Sequence, residues 1–275
     1  MNQRKSLKEL NLLDKFLFDE AMDDPENVKT MLDIILSQNT NLKHPPQTEK
    51  EQRTSTDNRQ IRLDVYAIDE DDVIYEVEAQ KENTHNLPKR SRLYQGIIDS
   101  KLLPPGVVDF NLLNEVLIVL IMPFDLFGYG LYRYTFQMRC EEVPELKLDD
   151  GATRIFLNTR GIHPELVSPE LIELLKYMER STDEVSRACG SKRIQEMHRR
   201  ICQIKASEKT EVKYMQSWEE KILIKQEGIA EGERIALERI NRLNQKLIEQ
   251  GRFEDLTKAV SDSVYQKKLL KEFKI

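Results

Sequence analysis

Eight residues, Glu115–Met122, read EVLIVLIM and stop at Pro123, and they constrain the fold more than any other stretch of the chain. A run that is apolar at nearly every position has no solvent-facing side, so as a strand it is expected to be covered on both faces. It is far too short to span a bilayer. Further strand candidates are Leu131–Met138 and Arg154–Leu157, separated by the acidic loop Glu141–Gly151. Helical spacing appears at Leu10–Met22, where Leu13, Phe16, Leu17 and Ala21 can share a face. Asp24–Pro25 reads as an N-cap with proline at the first helical position, opening a helix to about Leu36. Lys89–Leu103 reads as a helix ended by Pro104–Pro105–Gly106, with Leu93, Ile97, Ile98 and Leu102 able to pack on a sheet. Ser168–Pro169–Glu170 is another helix start, leading into Leu171–Arg180. Strands and helices in this order predict an α/β class.

Ile61–Gln80, IRLDVYAIDEDDVIYEVEAQ, carries the chemistry. Two arms rich in Val, Ile and Tyr, Ile61–Ile68 and Val73–Gln80, flank the acidic turn Asp69–Asp72, which is a hairpin pattern. Side chains alternate along a strand, so Glu78 and Gln80 share a face that Val77 and Ala79 do not. If Asp64 pairs across from Glu78, all three polar groups converge, whereas a one-residue slip sends Asp64 to the other face. Two carboxylates about 4 Å apart repel by roughly 4 kcal/mol at an effective dielectric of about 20, so a proton, a basic side chain or a divalent cation must neutralise them. An oxygen-only site with open positions suits Mg²⁺, which polarises a phosphoryl oxygen and activates water. The same residues also fit a hairpin whose acidic face is simply turned to solvent, and spacing does not choose between the two. The stretch before the hairpin, Asn39–Gln60, is polar, contains Pro45–Pro46 and Thr54–Ser55–Thr56, and reads as a loop with a weak, irregular strand.

The formal net charge of −6 argues against bulk attraction to nucleic acid. Locally the balance reverses. Lys89, Arg90, Arg92 and Lys101 face only Asp99 after the hairpin, and Arg187–Lys205 holds six basic residues against Glu196. Such patches bind phosphate with steep salt dependence, or are ordinary solvated helix faces. Cys140, Cys189 and Cys202 show no CxxC spacing. The opening MNQRKSLKEL has no apolar core, and the expectation is a reducing, cytoplasmic setting without membrane association. His44, His85, His163 and His198 are dispersed, with no HxxxH pair or Cys partner, which argues against zinc. Phe127–Gly128–Tyr129–Gly130 is a turn rather than a phosphate loop, and no nucleotide cofactor is expected.

Asp64 followed by Glu78–Ala79–Gln80 resembles the D…(D/E)xK signature of PD-(D/E)XK nucleases, in an ExQ form. More specifically the chain resembles the Rpn family of recombination-promoting nucleases, often labelled transposases. The resemblance extends over LLDKFLFDEAMDDPENV, SRLYQGIIDSKLLPPG, MPFDLFGYGLYRYTFQMRCEEVPELKLDDGATRIFLNTRG and QGRFEDLTKAVSDSVYQKKLLKEF. It implies a restriction-endonuclease-like α/β core over residues 1–160, a mixed sheet flanked by helices, and a helical C-terminal region over 161–275. It further implies a DNA endonuclease linked to recombination or mobile elements, with Asp64 and Glu78 as ligands for Mg²⁺ (Mn²⁺ as substitute). Gln80 would act beside them where related nucleases carry lysine, a position at which a full positive charge is then missing. Lys89, Arg90, Arg92 and Gln95 would contact DNA, and Tyr94–Gln95 matches a YQ pair of the family, although Tyr94 fits a core position equally. Asp14, Asp19 and Glu20 lie where related nucleases often place one more acid.

From Glu211 to Gln250 charges interleave with Ile229, Ala236, Ile240, Leu243 and Leu247, spaced seven, four, three and four, which is close to a heptad seam. Gly228 and Gly232 interrupt it, so a helical arm or homo-oligomer contact fits better than a long coiled coil. Gly251 ends the segment and Asp255–Phe273 is expected to fold back as short helices. Two other functions are compatible with these residues: a DNA-binding or assembly protein that has lost efficient catalysis, and a helical protein-interaction platform.

Overall fold

A computed structural model describes residues 4–52 and 61–275, so Thr54–Ser55–Thr56 of the polar segment before the hairpin lie outside the described residues. Two compact units divide the chain, residues 1–211 and 212–275.

The first unit is built on a six-stranded mixed sheet. Its strands are β1 Gln47–Gln52, β2 Ile61–Ile68, β3 Ile74–Ala79, β4 Val116–Met122, β5 Arg133–Phe136 and β6 Ala152–Asn158, in the order β1-β2-β3-β4-β6-β5. The central pairs β3–β4 and β4–β6 are parallel and the outer pairs are antiparallel. β4 has a hydrogen-bonded strand on each side and is buried at every position but the partly exposed Leu117, as EVLIVLIM requires. The helices are α1 Lys15–Met22, α2 Pro25–Leu36, α3 Leu87–Asp99, α4 Pro169–Glu179, α5 Asp183–Ala188 and α6 Lys192–Ala206, with α7 Glu208–Glu249 beginning at the end of the unit.

Helices cover both faces of the sheet. Leu87, Tyr94, Ile97 and Ile98 of α3 pack with Ile74, Val116, Ile118, Leu120, Met122 and Phe156. Tyr134 joins that cluster, while the adjacent Arg133 points the other way and donates from Nη1 to the Ile35 carbonyl at 2.8 Å, which sets α2 on the opposite face. α2 is started by Asp24, whose carboxylate accepts from the Glu26 amide at 3.0 Å ahead of Pro25. α4 and α6 pack against α2, and α6 also against α1. The first unit therefore runs past the boundary expected near residue 160, because the helices that follow the last strand are needed to bury α1 and α2.

The hairpin closes through Asp69. Its Oδ1 accepts from the amides of Asp71 (3.0 Å) and Val73 (2.9 Å), and its Oδ2 from the Tyr75 hydroxyl at 2.6 Å. Of the four turn acids this one is buried and structural. The resulting β2–β3 register is Val65↔Val77 and Tyr66↔Glu76.

In the second unit the end of α7 packs with α8 Phe253–Ser261 and α9 Ser263–Glu272 after a turn at Gly251 (φ 68°). Leu243 and Leu247, part of the near-heptad seam, are fully buried against Ala259 and Leu269 of the same chain. Ile229 stays exposed. Among the described residues no helix is long and apolar enough to cross a membrane.

Candidate active site

Continuing the register of the hairpin by one pair sets Asp64 opposite Glu78. Because directly opposed residues of antiparallel strands share a face, Asp64, Glu76 and Glu78 are neighbours, and all three are buried. Two helices bring cations to this face. From the first turn of α1, Lys15 Nζ donates to Asp64 Oδ1 at 2.5 Å and to Asp19 Oδ1 at 3.1 Å. From the first turn of α3, Arg90 Nη2 donates to Glu78 Oε1 and, at 2.6 Å, to Gln80 Oε1. Gln80 is held at its other end by donation from Nε2 to the Glu82 carbonyl at 2.6 Å. Lys81, expected to leave this face, donates to Asp14 Oδ1 at 2.5 Å.

Four carboxyl groups thus meet two cationic side chains in a largely dry place, and their acidities show the imbalance. Burial pushes Glu78 up to about 7 against the pull of Arg90, and the nearby Asp64 charge adds to the rise. Burial likewise pushes Asp19 up to about 7, with Lys15 opposing and Asp64 reinforcing. Glu76 is raised well above the ordinary carboxylate range by complete burial and by the charges of Glu78 and Asp64. Burial works against the Lys15 ammonium, yet Asp64 and Asp19 together outweigh it and raise that group.

Hydrogen bonding is incomplete in the same place. Neither carboxyl oxygen of Glu76 has a well-formed partner, the backbone of Asp64 alone lying within reach, and the buried Oε2 of Glu78 has none. Buried polar atoms are nearly always satisfied, and these under-bonded acceptors depart from that rule. A hard divalent cation with oxygen ligands fits that donor set, with Asp64 and Glu78 converging from adjacent strands.

The remaining expected residues divide. Lys89 and Arg92 are exposed on α3. Gln95 is buried and its Nε2 donates to Asp99 Oδ1 at 2.9 Å, so this amide does not face solvent. Tyr94 is a core residue of the α3 face, within the field of Glu78 and Glu76. Arg90, expected on DNA, sits instead on Glu78 and Gln80. Of the helix-1 acids, Asp19 joins the cluster through Lys15.

Glu76 and Lys15 also have sequence signals of their own. Glu76 is two residues from Glu78, so any strand that turns Glu78 inward must turn Glu76 inward as well. Lys15 and Asp19 are four residues apart on one helix, the spacing of an ion pair. Comparison with protein-family models, with curated proteins and with solved structures gave no match.

Proposed function

We propose that this chain is a metal-dependent endonuclease that hydrolyses DNA phosphodiester bonds on a restriction-endonuclease-like core, as its resemblance to the Rpn family implies. The observation that carries the reading is the set of buried, under-bonded carboxyl groups of Glu76 and Glu78 beside Asp64, both raised by burial. Asp64 and Glu78 would hold Mg²⁺, or Mn²⁺ in its place. When bound, the ion polarises the scissile phosphoryl group and spreads the charge that builds up on it.

The protein's own groups supply the rest. Lys15 provides the full positive charge that Gln80 lacks, delivered from α1 rather than from β3, and its ammonium is aimed at the Asp64 carboxylate. Gln80 positions Arg90 through its carbonyl oxygen and can orient water once that guanidinium turns toward phosphate. Lys89 and Arg92 lie exposed on the same helix as Arg90 and would draw in the DNA backbone.

A catalytically weak DNA-binding protein on the same core is the second reading, favoured by one observation: Arg90 already occupies Glu78 and Gln80. Both are tested by incubating supercoiled plasmid with the purified protein and Mg²⁺, alongside EDTA, Asp64→Ala and Glu78→Ala samples. Nicking abolished by EDTA and by either substitution supports the nuclease. Salt-sensitive DNA binding without nicking in several divalent metals favours the second reading, and equal nicking in every sample indicates contamination and overturns the assignment.

A further inference from the structure

The sequence expectation that no histidine has a cysteine partner fails on α6. His198 and Cys202 stand four residues apart on one helical face, and Sγ lies 3.4 Å from Nε2. The first residue of α5, Asp183, approaches from the other side, with Oδ1 2.8 Å from the same Nε2 and 4.0 Å from Sγ. Three potential ligand atoms of three chemical types therefore converge on one point.

We propose that Asp183, His198 and Cys202 form a binding site for one thiophilic divalent cation of the Zn²⁺ class, separate from the Asp64–Glu78 carboxylates. Tetrahedral zinc, with bonds of about 2.0–2.3 Å, spaces its ligand atoms about 3.3–3.8 Å apart. Of the two distances from Sγ, 3.4 Å to Nε2 falls inside that range and 4.0 Å to Asp183 Oδ1 lies just beyond it. The Asp183–His198 separation is a hydrogen-bond length and must open by about half an ångström, the adjustment expected when a cation replaces the shared proton.

The imidazole is already oriented for this. Its Nδ1 is 2.8 Å from the Tyr177 hydroxyl, in the buried interior between α4 and α6. Histidines that bind metal through one nitrogen are held through the other. A hydroxyl both donates and accepts, so Tyr177 can donate to Nδ1 while Nε2–H faces Asp183, and accept from Nδ1–H when Nε2 gives its lone pair to a cation. Tyr177 thus serves either tautomer, and the proton lost on binding comes from the Cys202 thiol. Burial pushes the Tyr177 hydroxyl and the Cys202 thiol above their ordinary ranges, so both become weaker acids.

That arrangement also argues against a cysteine nucleophile. A Cys–His–Asp relay needs the acid and the thiol on opposite ring nitrogens, whereas here Tyr177 occupies Nδ1 and both other groups crowd Nε2. A cavity of about 390 Å³ opens beside the three residues, bordered by Lys8 and Lys205, and leaves room for a fourth, anionic ligand.

The test is titration of the EDTA-stripped full chain with Co²⁺, followed by Zn²⁺ competition, in wild type, Cys202→Ser, Asp183→Asn and Asp64→Asn. Circular dichroism confirms that each variant is folded; Cys202 and Asp183 are chosen because neither fills the core as His198 does. The expected result is a thiolate-to-metal charge-transfer band that saturates at one band-forming Co²⁺ per chain, is displaced by Zn²⁺ and is retained in Asp64→Asn, any Co²⁺ on the carboxylates giving no such band. The band should vanish in Cys202→Ser, and affinity should fall at least about tenfold in Asp183→Asn. No charge-transfer band in wild type, an unchanged band in Cys202→Ser, or undiminished affinity in Asp183→Asn overturns the site as assigned.

Discussion

Lys15 is the residue on which the proposed chemistry turns, because it is the ammonium nearest the Asp64 carboxylate. Lys15→Met keeps the aliphatic stem and removes the charge. Metal-dependent nicking should fall by about 10²- to 10³-fold, the usual effect of deleting one group that stabilises developing charge, while DNA affinity changes little. Initial nicking rates at matched DNA occupancy decide this, and an unaltered rate would remove Lys15 from the mechanism. Glu78 leads to a pH experiment. Its folded-state acidity lies at about 7 against an ordinary 4.5, so folding takes up a proton between those values. Its stabilising contribution is present below about pH 4.5 and lost as pH rises through about 7, a change on the order of 3 kcal/mol. Asp19, raised from 3.8 to about 7, acts in the same sense. In EDTA, Glu78→Gln should therefore lose less stability than wild type between about pH 5 and about pH 8, read as thermal midpoints. Parallel curves for the two proteins would show that Glu78 carries no such proton. Asp64 and Glu78 were legible in sequence because strand alternation alone puts them on one face once the register is fixed. Lys15 was not, because nothing in a local pattern says which end of a helix will lie over which strand.

At the scale of elements, the hairpin depends on one acid among four. Asp69 accepts two backbone N–H groups and the Tyr75 hydroxyl while buried, whereas Glu70, Asp71 and Asp72 are exposed. Asp69→Ala leaves those donors without their acceptor and should destabilise the first unit by about 2–3 kcal/mol. Tyr75→Phe removes one hydrogen bond and should lose about 1 kcal/mol. Urea unfolding at neutral pH separates the two, and an Asp69→Ala loss no larger than that of Asp71→Ala would contradict the assigned role. The acidic turn was plain in the sequence, but its buried member was not, since four consecutive acids look alike until the partners of each are known. Similar reasons moved other boundaries. The helix read from Lys89 begins at Leu87, because Pro88 fits the first turn, where its missing N–H is not needed. The strand read as Leu131–Met138 shortens to Arg133–Phe136, because Asp125 draws in the amide of Gly130 at 2.6 Å and the Tyr134 hydroxyl at 2.7 Å and shapes the preceding segment as a loop.

At the scale of the molecule, the division after Glu211 predicts which fragments fold. A boundary near residue 160 follows naturally from where the strands end, and periodicity offers no reason to look further. What it cannot display is that Leu174, Leu175 and Met178 of α4 and Ile194, Met197 and Ile201 of α6 are all fully buried, in helices that pack on α2. Specific bonds tie the same layer together: the Leu12 amide donates to Ser181 Oγ at 2.9 Å, and Arg200 Nε donates to Asn27 Oδ1 at 2.7 Å. Ending the chain at residue 160 would expose the apolar faces of α1 and α2 and leave Asn27, buried in α2, without its arginine. The fragment 1–211 should therefore unfold cooperatively in urea and retain Mg²⁺-dependent nicking if the proposed active site is correct. The fragment 1–160 should be insoluble or lack a cooperative transition, since each large apolar side chain stripped of its neighbours forfeits about 2–3 kcal/mol. The seam of α7 belongs to the same comparison. Leu243 and Leu247 are already spent within the second unit, so only its exposed members, Ile229 among them, remain for a second copy. Sedimentation of the full chain beside the 1–211 fragment tests this. Self-association lost on truncation and weakened by Ile229→Glu would place the contact on α7, whereas association that persists in the shorter fragment would place it on the first unit.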